Sequence, residues 1–292
     1  MPFQLSLNCP MNTSETSNEQ ALLDKLLASQ ISIPPQPAIL LEIDKLINKP
    51  NNQLTAIGNL INKDVGLSAA IFKLVNSSFY KSATPITSIQ KAITVLGLTQ
   101  VSNLIKGLAL RKALGGQEVA YEKFWERSDE IATLSAIIAK KQISACNIAV
   151  DQAYMTGLFH ECGVPILMQR FPEYCQSFRL NQGSHWPDFN EEDQRFHTDH
   201  TIVGFMVTKH WNLPEFICQA VRFHHERLNV DHAALTLVSI LQMARHLHKK
   251  IHRQRDDEWP DIREQVLDEI GVGKEGSIEF MEDVIEIFTQ LQ

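Results

Sequence analysis

The chain has 292 residues, 44% of them hydrophobic, which is enough for one large or two modest units with real cores and excludes wholesale disorder. Lys and Arg number 27 against 34 Asp and Glu, so the net charge of −7 argues against nucleic acid or an anionic membrane as a partner. Five scattered cysteines without a Cys-x-x-Cys suit a reducing compartment, and with neither a secretory signal nor a membrane span in view the expected location is the cytoplasm.

Residues 1–18 read as a flexible polar arm. A helix is expected over Glu19–Gln30, with Leu22, Leu23, Leu26 and Leu27 on one face, until the prolines of Ile33-Pro34-Pro35-Gln36-Pro37 stop it. A second helix carries Ile39, Leu40, Ile43, Leu46 and Ile47 as far as Lys49-Pro50. Leu54–Asn62 and Gly66–Phe79 continue the helical rhythm of apolar residues. Ser88 is placed to cap a helix carrying Ile89, Ala92, Ile93 and Leu96, with Gly97 as its stop. Val101–Leu114 follows, and Gly115-Gly116 marks the boundary between an N-terminal helical part, 19–116, and a helical core, 117–252.

Within that core, helices are expected over Phe124–Gln142, Asp151–Arg170, Glu191–His210, Pro214–His225 and Ala233–His252, with a loop at 181–188. Residues 253–292 form a C-terminal helical extension that ends in an acidic helix over Gly276–Leu291. No stretch alternates with the two-residue period of a strand, so the fold class is all-α.

The chemistry concentrates in Leu158-Phe159-His160-Glu161-Cys162-Gly163, with His200 and the doublet His224-His225 at separations that suit ligands from successive helices. Ser77, Ser78 and Thr87 have no readable His–carboxylate partner, and no Gly-rich phosphate loop is present. Cys162 reads as a small packing residue. The basic run Arg245–Arg255 is followed at once by Asp256-Asp257-Glu258, so it reads as a self-compensated helix end. A metal role for its histidines needs converging Nε2 atoms, which helical spacing alone does not give.

Two blocks carry a family resemblance. The first is Ile33-Pro34-Pro35-Gln36-Pro37, Ile61–Leu67, Leu74–Tyr80 with Asn76-Ser77-Ser78, and Ile86–Gly97. The second is Gly157–Gly163, Asp199-His200, Gly204, Trp211-Asn212-Leu213-Pro214 and His224-His225-Glu226. Together they resemble the HDOD domain, a relative of the HD and HD-GYP metal-dependent phosphohydrolases, over about residues 20–250. The resemblance implies an N-terminal helical subdomain packed on an HD-like helical core, and a role in bacterial signalling or regulation rather than turnover.

It also implies a metal site at His160, Glu161, His200, His224 and His225, altered in three places. Arg127 stands where catalytic relatives open the site with His, and a guanidinium cannot coordinate a cation. Glu161 replaces Asp, and Gln242 stands in place of the last Asp. The lysine that often follows the pair gives way to Val164-Pro165. Arg127 is therefore expected to pair with Glu161 in a retired site. The histidines are expected to form a relic cluster without a metal; the alternatives are one bound iron, manganese or zinc ion, or a working hydrolytic site. The function expected is a non-catalytic or weakly active module that binds a signalling protein or small ligand. The alternative is a phosphohydrolase acting on a phosphoester or cyclic dinucleotide. A homodimer is compatible with the apolar N-terminal helices.

Overall fold

The computed structural model describes residues 30–47, 54–76, 86–115, 119–182, 186–226 and 230–291, and every regular element among them is helical. Five helices come first: α1 (Ala38–Ile47), α2 (Leu54–Asn62), α3 (Val65–Val75), α4 (Ile89–Leu96) and α5 (Leu98–Ala113). The next set comprises α6 (Val119–Lys141), α7 (Ile143–Cys146), α8 (Val150–Phe159), α9 (Gly163–Arg170), α10 (Tyr174–Ser177), a 3-10 turn at Leu180–Gln182, α11 (Phe189–Phe196), α12 (His200–His210), α13 (Glu215–Arg222) and α14 (His232–Ile251). α15 (Trp259–Glu269) and α16 (Ser277–Leu291) follow. The helix expected over Glu19–Gln30 lies outside the described residues, apart from Gln30.

Local chemistry sets several of these boundaries. The Ser88 hydroxyl accepts from Lys91 N, 3.1 Å away, and so satisfies one of the free donors at the start of α4. Gly97 ends α4 at φ 87, a conformation that a side chain would strain, and α4 and the body of α5 meet there at 117°. Asn76 closes the loop after α3: its amide donates to Ile86 O at 2.8 Å and its carbonyl accepts from Ile86 N at 2.6 Å. α3 runs to Val75, and the expected end at Phe79 lies outside the described residues. Trp211 is fully buried and donates its indole N–H to Pro34 O at 3.0 Å, which ties the two sequence blocks of the resemblance to each other.

α6 is the axis of the molecule. It packs on α8 and α14, and α16 lies along it as well. Apolar side chains on opposite sides of the helix, among them Phe124, Trp125, Ile131, Leu134, Ile137 and Ile138, are all buried, as expected of a helix surrounded by others. The buried Asn103 amide donates to Asp151 at 3.0 Å and ties α5 to α8. Among the described residues no single helix is long and apolar enough to cross a membrane.

Two expected long helices are broken, and both breaks serve the centre. Asp151–Arg170 divides at His160-Glu161-Cys162. Pro165 can stand in the first turn of α9, but in a continuous helix its ring would strike the carbonyl of Glu161. Glu191–His210 divides at His197, which adopts φ 57 at the end of α11, and Asp199 then caps α12 by accepting from Thr201 N and Ile202 N. His197 is exposed, and the break separates it from His200, which the expected span Glu191–His210 had placed on the same helix. α13 ends at Arg222, so His224 and His225 stand in the turn after it rather than on the helix expected over Pro214–His225. α15 had no counterpart in the periodicity.

Candidate metal centre

The chain breaks deliver four imidazoles to one place. His160 caps the C-terminus of α8, His200 opens α12, and His224 and His225 occupy the turn after α13. His160, His200 and His224 are fully buried. Gly163 permits the approach of α9 to α12, since a Cβ at that position would lie 2.2 Å from the His200 carbonyl oxygen.

Each buried ring is anchored through Nδ1. His160 Nδ1–H donates to Gly157 O at 2.6 Å, His224 Nδ1–H to Val221 O at 2.7 Å, and His200 Nδ1–H to the Glu192 carboxylate at 2.6 Å. This pattern leaves the Nε2 lone pairs of the three rings facing inward. His200 Nε2 lies 3.3 Å from His224 Nε2 and 3.3 Å from His225 Nε2. For an ion held tetrahedrally at about 2.0–2.1 Å, adjacent nitrogens stand about 3.3–3.4 Å apart. The two pairs made by His200 therefore already have the spacing of ligands to one ion, and one donor atom of each of His200, His224 and His225 lies within 4.8 Å of the others. His160 stands beside them, its ring centroid 5.2 Å from that of His224, and its Nε2 has no hydrogen-bond partner among the described residues.

Glu161 faces two ways, with its Oε1 3.6 Å from His160 Nε2. Its Oε2 accepts from Arg127 Nη1 at 2.6 Å, and the two side chains are only 3% and 5% exposed. The expected pair thus forms. Burial is the largest influence on the Glu161 carboxylate and opposes it, but the Arg127 guanidinium, then His160 and Arg245, together prevail and hold the pKa well below the usual carboxylate range. Burial in turn lowers Arg127 to about 10, against the pull of Glu161. The far face of the guanidinium lies 4.0 Å from the Trp186 ring centroid.

The sequence reading missed two residues. Glu192, fully buried on α11, accepts from both Nδ1 and the backbone N–H of His200, and from the Tyr174 hydroxyl. It is a carboxylate that orients a ligand-type imidazole from behind, and its only sequence signal was an acid eight residues before a histidine. Arg245, assigned to the basic helix end, instead turns inward from α14. Its Nη1 lies 3.4 Å from His225 Nδ1, and it faces Glu258 at 3.5 Å. Lys249 and His246 do pair with Asp256, at 2.7 and 2.8 Å, so that end of the run is compensated as expected. Gln242 is buried and donates its amide N–H to His224 O at 3.1 Å, so it supports the histidine turn through the backbone.

Burial lowers the pKa of His160, His224 and His225, the last two strongly. Burial opposes protonation of His200 too, but the adjacent Glu192 carboxylate prevails and raises it. Phe189 stacks on His225 with centroids 5.0 Å apart, so the segment bearing Trp186 and Phe189 covers both Arg127 and the histidine turn.

The family model of the HDOD domain matches residues 33–227. A protein of Treponema pallidum (strain Nichols) described only as uncharacterized is 27% identical over 227 residues, 77% of this chain; the match spans only 42% of that relative's length. Among solved structures, an HDOD domain protein of unknown function from Geobacter sulfurreducens aligns with TM-score 0.62 and 24% identity over 92% of this chain and 98% of its own. A protein of Shewanella amazonensis SB2B, assigned provisionally to the metal-dependent phosphohydrolases, aligns with TM-score 0.65 and 18% identity over 88% of this chain and 89% of its own. The two structures share the all-helical fold with this chain.

Proposed function

Since the chain belongs to the HDOD domain family, we propose that it is a signalling module that acts by binding a protein or small ligand, with an HD centre retired from hydrolysis. The observation that carries this reading is the buried Arg127–Glu161 contact. In a hydrolytic relative, the carboxylate next to the motif histidine faces the metal. Here a permanent cation fills that role from within the chain, so Glu161 is neutralised without a metal. Gln242 is consistent with this, since its amide supports the His224 backbone and brings no charge.

The residues present fit one metal ion. His200, His224 and His225 would hold it, with Glu192 behind His200, and Glu161 stays with Arg127. Such an ion, when bound, polarises water or a phosphoryl oxygen and cross-links α12 to the turn after α13. The Nε2 spacing of 3.3 Å favours a second reading, a metal-dependent phosphohydrolase acting on a phosphoester or cyclic dinucleotide.

The test is turnover of a phosphodiester probe, bis(p-nitrophenyl) phosphate, by untagged protein with excess manganese or iron(II). The signalling-module reading expects no more nitrophenolate than from the His224→Ala, His225→Ala double variant. Turnover that disappears in that variant refutes the reading and establishes the hydrolase.

A further inference from the structure

A second group of ligating side chains lies next to this centre, along the seam between α6 and α14. His248 lies in the last turn of α14 and His252 caps its C-terminus four residues on, where its backbone N–H still donates to His248 O, so the two side chains leave the same side of the helix end. Glu130 stands on α6, three residues beyond Arg127. The three tips meet: Glu130 Oε2 is 2.9 Å from His248 Nε2 and 2.7 Å from His252 Nε2, and the two rings lie 4.4 Å apart. One donor atom from each residue lies within 4.8 Å of the others.

The cluster grades from buried to open. The His248 side chain is 6% exposed, Glu130 22% and His252 41%, so an ion from solvent reaches it and water can complete its coordination. We propose that Glu130, His248 and His252 form a transition-metal site of the zinc class. Two imidazoles and one carboxylate are the donor set of open, three-ligand zinc sites, in which a further position is left for water or an incoming group. With bonds of about 2.0–2.2 Å in a tetrahedron, adjacent donors stand about 3.3–3.6 Å apart, so the present contacts of 2.9 and 2.7 Å need to open by about 0.4–0.9 Å through side-chain rotation.

Proton balance permits the exchange. Burial brings His248 down to about 4, against the hydrogen bond that it donates to Glu130, so its ring is neutral at pH 7. A neutral ring bonded to Glu130 through Nε2–H shifts that proton to Nδ1 and offers Nε2 to the ion, with no proton released. The competing arrangement keeps both histidines as simple N–H donors to one carboxylate. The site uses none of His160, His200, His224 or His225, so it does not depend on whether the main centre holds a metal.

The experiment is equilibrium dialysis of untagged full-length chain against zinc at pH 7.5, comparing wild type with His252→Ala. The substituted side chain is partly exposed, and circular dichroism verifies that the variant is folded. The expected result is one zinc per chain fewer in the variant, while a His224→Ala, His225→Ala variant keeps that equivalent. Equal stoichiometry and affinity in wild type and His252→Ala, or no stoichiometric zinc in wild type, overturns the proposal. Should His252→Ala fail to fold, His252→Gln gives the same comparison, since Gln keeps a polar side chain but not the imidazole.

Discussion

Replacing Arg127 with Ala removes the cation that pairs with Glu161 at 2.6 Å. With the two side chains 5% and 3% exposed, the pair belongs to the buried regime rather than the exposed one, where an ion pair contributes at most about 1 kcal/mol. Stranding one charge of a buried pair costs about 3–5 kcal/mol. Protonation sets a ceiling on part of this. At pH 7, neutralising a carboxylate with an ordinary pKa of about 4.3 costs roughly 2.7 units at 1.36 kcal/mol each, or about 3.7 kcal/mol. Loss of the guanidinium from the Trp186 ring adds about 0.5–2 kcal/mol. The expected destabilisation is therefore about 4–5 kcal/mol. It is measured by guanidinium denaturation of wild type, Arg127→Ala, Glu161→Ala and the double variant. The double variant should lose less than the sum of the singles by about 2 kcal/mol or more. Additivity within about 0.5 kcal/mol refutes the claim that Arg127 is what neutralises Glu161.

Three further outcomes follow from the same geometry. Glu192→Ala deprives His200 and Tyr174 of a shared buried acceptor and should cost more than Tyr174→Phe, which removes one donor; each broken charged hydrogen bond is worth about 1.5–3 kcal/mol, and thermal unfolding ranks the two. Gly163→Ala places a methyl 2.2 Å from the His200 carbonyl oxygen and should destabilise by at least about 1–3 kcal/mol, whereas Gly273→Ala, with open space around it, should be near neutral in the same assay. Burial pushes the thiols of Cys146 and Cys218 up to about 11 and Cys162 higher still, so at pH 8 these three should resist iodoacetamide while half-buried Cys175 reacts before any of them; peptide mass spectrometry reads the order.

Much of this molecule was legible before any coordinates. Ser88 and Gly97 bracket α4, the apolar rhythm of Leu54–Asn62 gives α2 its bounds, and the substitution pattern at Arg127 and Glu161 foretells their pairing. The errors were at continuity. A proline in a first turn and a histidine in the left-handed region leave the apolar rhythm on both sides intact, so periodicity ran across both breaks. The four-residue α7 and α10 carry too few turns for a periodic signal, and α15 buries only Trp259, Val266 and Leu267 among charged residues, which leaves its apolar stripe sparse.

Sequence by itself determined the helices, the family and the identities of the four histidines, because caps, prolines and apolar spacing act within a few residues of themselves. Which of those histidines share a centre was decided by packing. Three Nε2 atoms converge because α9 meets α12 at Gly163 and the turn after α13 folds back onto them. The same holds for Glu192, Arg245 and Glu130. In sequence they are ordinary charges on helices, and only the direction in which each helix turns its face makes them a buried acceptor, a buried cation and a bridge between two imidazoles.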